Sequence, residues 1–130
     1  MSERRFAHQG WGKARLHSFA DAFRGLGLVL RSQMNARIHA LATVVVCGAG
    51  WWLRLSAGEW AAIVAVIALV WAAEAVNTAI EFLVDLVSPE EHPLAGKAKD
   101  AAAGAVLAAA IGAAIVGGII FVPKISALLR

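Results

Sequence analysis

Polar and apolar positions change their rhythm along the chain. Up to Lys13 the residues are polar, with no period. From Leu16 onward, Leu16, Phe19, Phe23, Leu26 and Leu30 recur at spacings of three and four, the stripe of an amphipathic helix. Arg15, Arg24 and Arg31 lie off that stripe. The pattern predicts a helix over about residues 15–32 that lies in a membrane interface, apolar face inward. Three nearly continuous apolar runs follow, at about 38–55, 60–87 and 101–122. Each is close to the roughly 20 residues needed to cross a bilayer. The expectation is an all-α membrane protein: a surface helix plus three spans, in a single domain covering residues 1–130.

The boundaries carry their own signals. Ser56 with Glu59 three residues on reads as a capping box, with Trp60 at the interface. The short "RLSAGEW" connection makes the first two spans an antiparallel hairpin. Pro89 and Pro93 end the second span, and Pro123 is expected to end the third. In the third run Gly104, Ala108 and Gly112 repeat every four positions, which lets helices approach closely, within the chain or between copies. The first run starts too far along the chain, and is followed by too much apolar sequence, to be a signal-peptide core.

Composition agrees with this. The chain is 60% hydrophobic with a mean hydropathy of +0.70, against about 45–50% apolar in average soluble domains. Nine of the lysines and arginines fall before the first run or in the loop near Pro89, and three fall on the other side. The N-terminus and that loop are therefore expected to be cytoplasmic. The net charge of +3 reflects this bias and is not a nucleic-acid footprint. The single cysteine, Cys47, excludes an intrachain disulfide and reads as apolar filler.

The second run contains an anomaly. "EAVNTAIEFLVD" sets Glu74, Asn77, Glu81 and Asp85 on one helix face inside the apolar stretch. A charge in the bilayer core costs at least about 2.5–3.5 kcal/mol on insertion scales. Such residues need a partner, a metal or water. Polar glue between helices is one reading, but acidic pairs repel, and a divalent cation resolves the repulsion. Oxygen ligands suit magnesium better than zinc. Seven residues of helix put Glu74 about 10 Å deeper than Glu81. A carboxylate with little water around it is the better proton acceptor, so the stripe can join a water-borne ligand to a membrane-borne one.

Two further clusters lie on the same side of the membrane. "EEHPLAGKAKD" offers Glu90, Glu91, His92, Lys97, Lys99 and Asp100, with Lys99 near an expected helix start where free backbone N–H groups favour a phosphate. "QMNARIH" offers Gln33, Asn35, Arg37 and His39, in pairs four apart. No Gly-rich phosphate loop is present. Together the clusters suggest phosphate and metal at a cytoplasmic membrane surface, the requirement for phosphoryl transfer. A small transporter would also place acids in a span, but it leaves the Lys99–Asp100 cluster without a task.

"NARIH", "EAVNTAIEFLVD" and "HPLAGKAKDAAAGAVL", in this order, resemble the prokaryotic diacylglycerol kinase family, which includes the undecaprenol kinases. The resemblance runs from about residue 18 to 125. It implies a homotrimer in the bacterial inner membrane that transfers the ATP γ-phosphate to the hydroxyl of a membrane lipid, undecaprenol or diacylglycerol, with Mg2+. By the same resemblance Glu74 is the catalytic base, and Glu81 binds metal and, through it, ATP. Glu90, Glu91, His92, Lys99 and Asp100 contact ATP, and Asn77 and Asp85 support the site. Asn35, Ala36, Arg37, Ile38 and His39 border the lipid. One departure stands out. Where the family usually has a second metal-binding glutamate, this chain has Gln33, whose amide oxygen can coordinate magnesium without bringing a charge. That substitution keeps open an alternative, a weakened member serving as a lipid-binding or structural membrane subunit.

Overall fold

The computed structural model describes residues 11–130, with side chains from Arg15 on. Four helices follow one another: α1 (Trp11–Ser32), α2 (Met34–Trp52), α3 (Ala57–Val87) and α4 (Pro93–Leu128). Among the described residues there is no strand. The loose segment expected up to Lys13 lies outside the described residues for its first ten positions, and α1 already includes residues 11–13.

Most large apolar side chains face outward. Leu16, Phe19 and Phe23 of α1 are 71%, 63% and 72% exposed, and α2, α3 and α4 likewise present Leu41, Leu69 and Ile119 to the outside. The buried set is small: chiefly Val29, Ala36, Ile63, Val70, Ala102, Val106 and Ala109. Apolar surface on this scale is unfavourable against water and comfortable against hydrocarbon. By length and composition α3 and α4 can each cross a membrane. At 31 and 36 residues they run about 46 and 54 Å, longer than the roughly 30 Å hydrocarbon core. Their ends therefore reach beyond the apolar zone. α2 falls short of the same test because Asn35, Arg37 and His39 occupy its opening turns.

Each helix boundary has a physical cause. A single extended residue, Gln33, separates α1 from α2. There Arg37 donates from Nε to the Leu30 carbonyl at 3.1 Å and from its terminal nitrogen to that of Arg31 at 2.8 Å, closing the end of α1. α2 stops at Trp52, three residues before the expected end of the first span. Arg54 adopts a left-handed conformation (φ 52°), with Arg54 N–H on the Trp51 carbonyl and Leu55 N–H on that of Gly50. These two bonds form a Schellman stop. The capping box at the start of α3 is present, with Ser56 N–H on Glu59 Oε2 at 2.7 Å and Glu59 N–H on Ser56 Oγ at 3.3 Å. Gly50 is needed here: a Cβ on it would come within 3.0 Å of the Trp60 ring.

Two expectations for the last helix are corrected. It begins at Pro93, with His92 as N-cap accepting from Leu94 N–H at 3.1 Å. It also passes through Pro123 to Leu128 rather than stopping there. A proline removes one backbone donor, a loss that long membrane helices tolerate when neighbouring groups adjust. Ser126 Oγ donates to the Pro123 carbonyl at 2.9 Å.

α2, α3 and α4 are antiparallel neighbours. Gln33 meets Glu81, His39 meets Glu74, and Trp71 meets Thr43, so numbers rise on α2 as they fall on α3. Asp85 with Lys99, and Glu59 with Lys124, register α3 against α4 from end to end. The face that α4 turns to its neighbours uses Ala102, Val106 and Ala109; Gly104 and Gly112 meet nothing within 4 Å. The Gly104–Ala108–Gly112 stripe thus lies on the outside of the chain.

Candidate functional site

The polar stripe of α3 is graded in depth. Glu74 is 1% exposed and Asn77 6%, Glu81 is half-buried, and Asp85 is exposed. Burial follows helix geometry: Glu74 lies near mid-helix, with His39 of α2 beside it, whereas Asp85 lies in the last turn. Thr78, also buried, donates its hydroxyl to the Glu74 carbonyl at 2.9 Å.

At the middle of the stripe Glu81 accepts two amides. Asn77 Nδ2 donates to Oε1 at 2.9 Å, and Gln33 Nε2 donates to Oε2. The expected metal pair, Gln33 and Glu81, is therefore brought together, with the Gln33 amide nitrogen turned to the carboxylate. Asn77 Oδ1 is left buried without a hydrogen-bond partner. Among the described residues no three His, Cys, Asp or Glu side chains converge as a metal cluster. A magnesium ion would draw instead on the Glu81 carboxylate, the amide oxygens of Gln33 and Asn77, and phosphate oxygens. That is an all-oxygen set, and it fits the ion's preference.

At the deep end Glu74 Oε1 is buried and accepts no hydrogen bond. The imidazole Nε2 of His39 stands 3.4 Å from it. Thr43 Oγ1 donates to the His39 carbonyl at 2.8 Å and accepts from Trp71 Nε1 at 3.3 Å, which pins this turn of α2 to α3. His39 and Thr43 form the polar end of an apolar groove of about 360 Å³, lined also by Ile63, Val70, Ala113, Gly117 and Phe121.

At the shallow end Asp85 pairs with Lys99. Lys99 lies ahead of the apolar run that begins at Ala101, and the Asp85 carboxylate holds its ammonium above the ordinary lysine range. Both line a pocket of about 610 Å³, with polar groups from Ser88, Glu90, Glu91 and His92 and apolar walls from Val84, Pro89 and Pro93. Asp100 is exposed and is not part of that lining. Because α4 starts at Pro93, Lys99 lies in its second turn, where backbone N–H groups are taken by the helix. The expected help from free N–H groups at Lys99 does not hold.

Of the residues expected at the lipid border, His39 faces the site. Ala36 is fully buried, Arg37 closes α1, and Asn35 and Ile38 are exposed. Sequence reasoning missed Thr43, Trp71 and Thr78. The only signal for Thr78 was its position four residues after Glu74; Thr43 and Trp71 needed the pairing of two helices.

A family profile described as prokaryotic diacylglycerol kinase matches residues 20–121. The chain is 44% identical over 108 residues to the undecaprenol kinase of Bacillus subtilis (strain 168), covering 83% of this chain and 88% of that protein. It is 44% identical over 115 residues to a diacylglycerol kinase of Synechocystis sp. (strain ATCC 27184 / PCC 6803 / Kazusa), covering 88% of this chain and 66% of that protein. To the diacylglycerol kinase of Escherichia coli (strain K12) it is 40% identical over 75 residues, 58% of each chain.

Proposed function

The chain belongs to the prokaryotic diacylglycerol kinase family, and from that premise we propose that it is an integral-membrane kinase transferring the γ-phosphate of ATP to the primary hydroxyl of undecaprenol or diacylglycerol. The observation that carries the reading is the polar track from buried Glu74 to half-buried Lys99, with an apolar groove beside His39 at one end and a pocket lined by Lys99 at the other. A lipid chain fits the groove, and a nucleotide fits the pocket.

In this reading the lipid hydroxyl approaches Glu74 from the groove. Glu74 takes its proton as the oxygen bonds to the γ-phosphorus and the bond to ADP breaks. Lys99, at the pocket, exchanges Asp85 for a phosphate oxygen when ATP enters. Glu90, Glu91 and His92 border the nucleotide, with Asp100 beyond them. Asn77 orients Glu81, and Asp85 keeps Lys99 in place. Gln33, Glu81 and Asn77 would hold magnesium, which supplies neutralising charge beside the phosphates. Asn35, Ala36, Arg37 and Ile38 shape the lipid border through the first turn of α2.

The same reading makes α2 a third span beside α3 and α4, within one membrane domain in the bacterial plasma membrane with a cytoplasmic N-terminus. It makes α1 an interfacial helix whose exposed Leu16, Phe19 and Phe23 enter the lipid. The unpartnered small-residue stripe of α4 supports packing between copies, and a homotrimer is the family expectation. The test is transfer of labelled phosphate from ATP to each lipid separately, with magnesium titrated. A second reading, a weakened member acting as a lipid-binding subunit, draws on one observation: Gln33 spends an amide donor on Glu81 where a second carboxylate would bind metal. It calls for ATP binding without transfer at any magnesium concentration.

A further inference from the structure

A base that takes a proton must also lose it before the next turnover. Glu74 is 1% exposed, so it has almost no contact with water to receive that proton. The ionisable groups acting on it include His39 and Glu81. Glu81, about two turns further along α3, already accepts an amide N–H on each oxygen. Protonating it would set a hydroxyl against those donors. His39 differs. Its Nε2 is 3.4 Å from the Glu74 oxygen that has no hydrogen-bond partner, and its side chain is 21% exposed. It stands at the polar end of the groove, and the Trp71–Thr43 pair holds its backbone in register with Glu74.

We propose that His39 is the exit for the proton that Glu74 removes from the lipid hydroxyl. The inference rests on Glu74 being the base. After the oxygen–phosphorus bond forms and ADP leaves, the protonated Glu74 carboxyl passes its proton to the free lone pair of neutral His39 at Nε2. Once the product has left the groove, the imidazolium releases the Nε2 proton to water that reaches the partly exposed ring, so both groups return to their starting charges and His39 regains its free Nε2 lone pair. Imidazole suits this task because it gains and loses a proton near neutral pH. A contact of 3.4 Å is long for a hydrogen bond, and such contacts tighten when substrate is bound. His39 is a positioning and relay residue here: it acts on the lipid through Glu74.

The experiment compares the first turnover with the steady state in the full chain reconstituted with lipid alcohol, using labelled ATP and rapid quenching. Because His39 also lines the groove, the quantity read in His39→Gln is the ratio of the first turnover to the later ones. The later turnovers should slow by about tenfold or more relative to the first, and added imidazole should restore them. Equal slowing of first and later turnovers, with no response to imidazole, would overturn the relay and leave His39 a structural residue. Unchanged turnover would overturn it outright. Glu74→Gln, run alongside, separates the two levels. If its first turnover is as fast as that of the wild type, the base assignment falls and the relay with it; if its first turnover is slowed about a hundredfold or more while His39→Gln behaves as wild type, only the relay falls. His39→Asn carries the same test if His39→Gln aggregates on gel filtration.

Discussion

The two ends of the helical hairpin treat polar groups in opposite ways. At the Gly50–Glu59 end every device is closed on itself. The Schellman stop uses the Arg54 and Leu55 N–H groups, the capping box joins Ser56 and Glu59, and Lys124 Nζ reaches Glu59 Oε2 at 3.1 Å from the far end of α4. At the Gln33–Asp85 end, buried oxygens of Glu74 and Asn77 have no hydrogen-bond partner. A buried polar atom left unsatisfied costs about 1–3 kcal/mol. Polar residues kept only to hold helices together would be paired off, as they are at the first end. In the proposed function, substrate and metal would fill the open valences at the second end.

Mutations should therefore separate the ends: activity lost without stability at one, stability lost without activity at the other. The largest effect is expected from Glu74→Gln. Transfer should fall by roughly 10²–10⁴-fold, the contribution of general base catalysis. Protection of the purified protein by ATP should persist, and equal loss of both would remove Glu74 from the base role.

Gln33→Glu sharpens the contrast in the other direction. It replaces an amide donor to Glu81 by a second carboxylate. In chelator its thermal stability should drop, by about 1–3 kcal/mol for the lost partner and the added repulsion. Magnesium should restore that stability, and half-maximal transfer should need less magnesium than in the wild type. An unchanged magnesium requirement would mean that Gln33 does not face the metal.

At the closed end, Ser56→Ala should cost about 1 kcal/mol of stability, seen as a lower melting temperature in detergent, with turnover per folded molecule unchanged. Glu59 lies just ahead of the apolar run at Trp60. The Ser56 backbone N–H, then Lys124, hold its carboxyl below the ordinary value of 4.5. A carboxyl lowered by folding contributes stability above its unfolded value and loses it as pH falls through the folded one. Glu59→Gln should therefore flatten the acid limb of a melting-temperature profile below about pH 4.5. The smallest effect is expected from Arg54→Gly, which relieves a left-handed non-glycine residue and should raise stability by up to about 1 kcal/mol. A loss at this position would mean that the arginine side chain outweighs its backbone strain.

Much of this was legible in the sequence, and for local reasons. The capping box, the stop after Val87 and the single face shared by Glu74, Asn77 and Glu81 depend on residues a few positions apart on one helix. That α1 is a helix followed from its three-and-four spacing. What could not be read depended on pairing between helices. His39 and Glu74 are 35 positions apart in the chain, and only the antiparallel register of α2 on α3 joins them. The amide that Gln33 gives to Glu81 has the same origin. The limits of α4 depart from the usual stop at proline for a different reason: Pro93 opens the helix and Pro123 lies inside it, because proline suits the first helical turn and is tolerated inside a long membrane helix. The start at Pro93 puts Lys99 in the second turn and not at a helix start.

In the proposed function the open end of the hairpin passes phosphate from ATP to a lipid hydroxyl. The most direct measurement follows label from γ-labelled ATP into undecaprenol and diacylglycerol, each supplied separately in reconstituted membranes with magnesium, beside Glu74→Gln. Label in one of the lipids, lost in Glu74→Gln while ATP still protects that variant, is the result predicted. No label in either lipid at saturating magnesium, from protein that binds ATP, would contradict it.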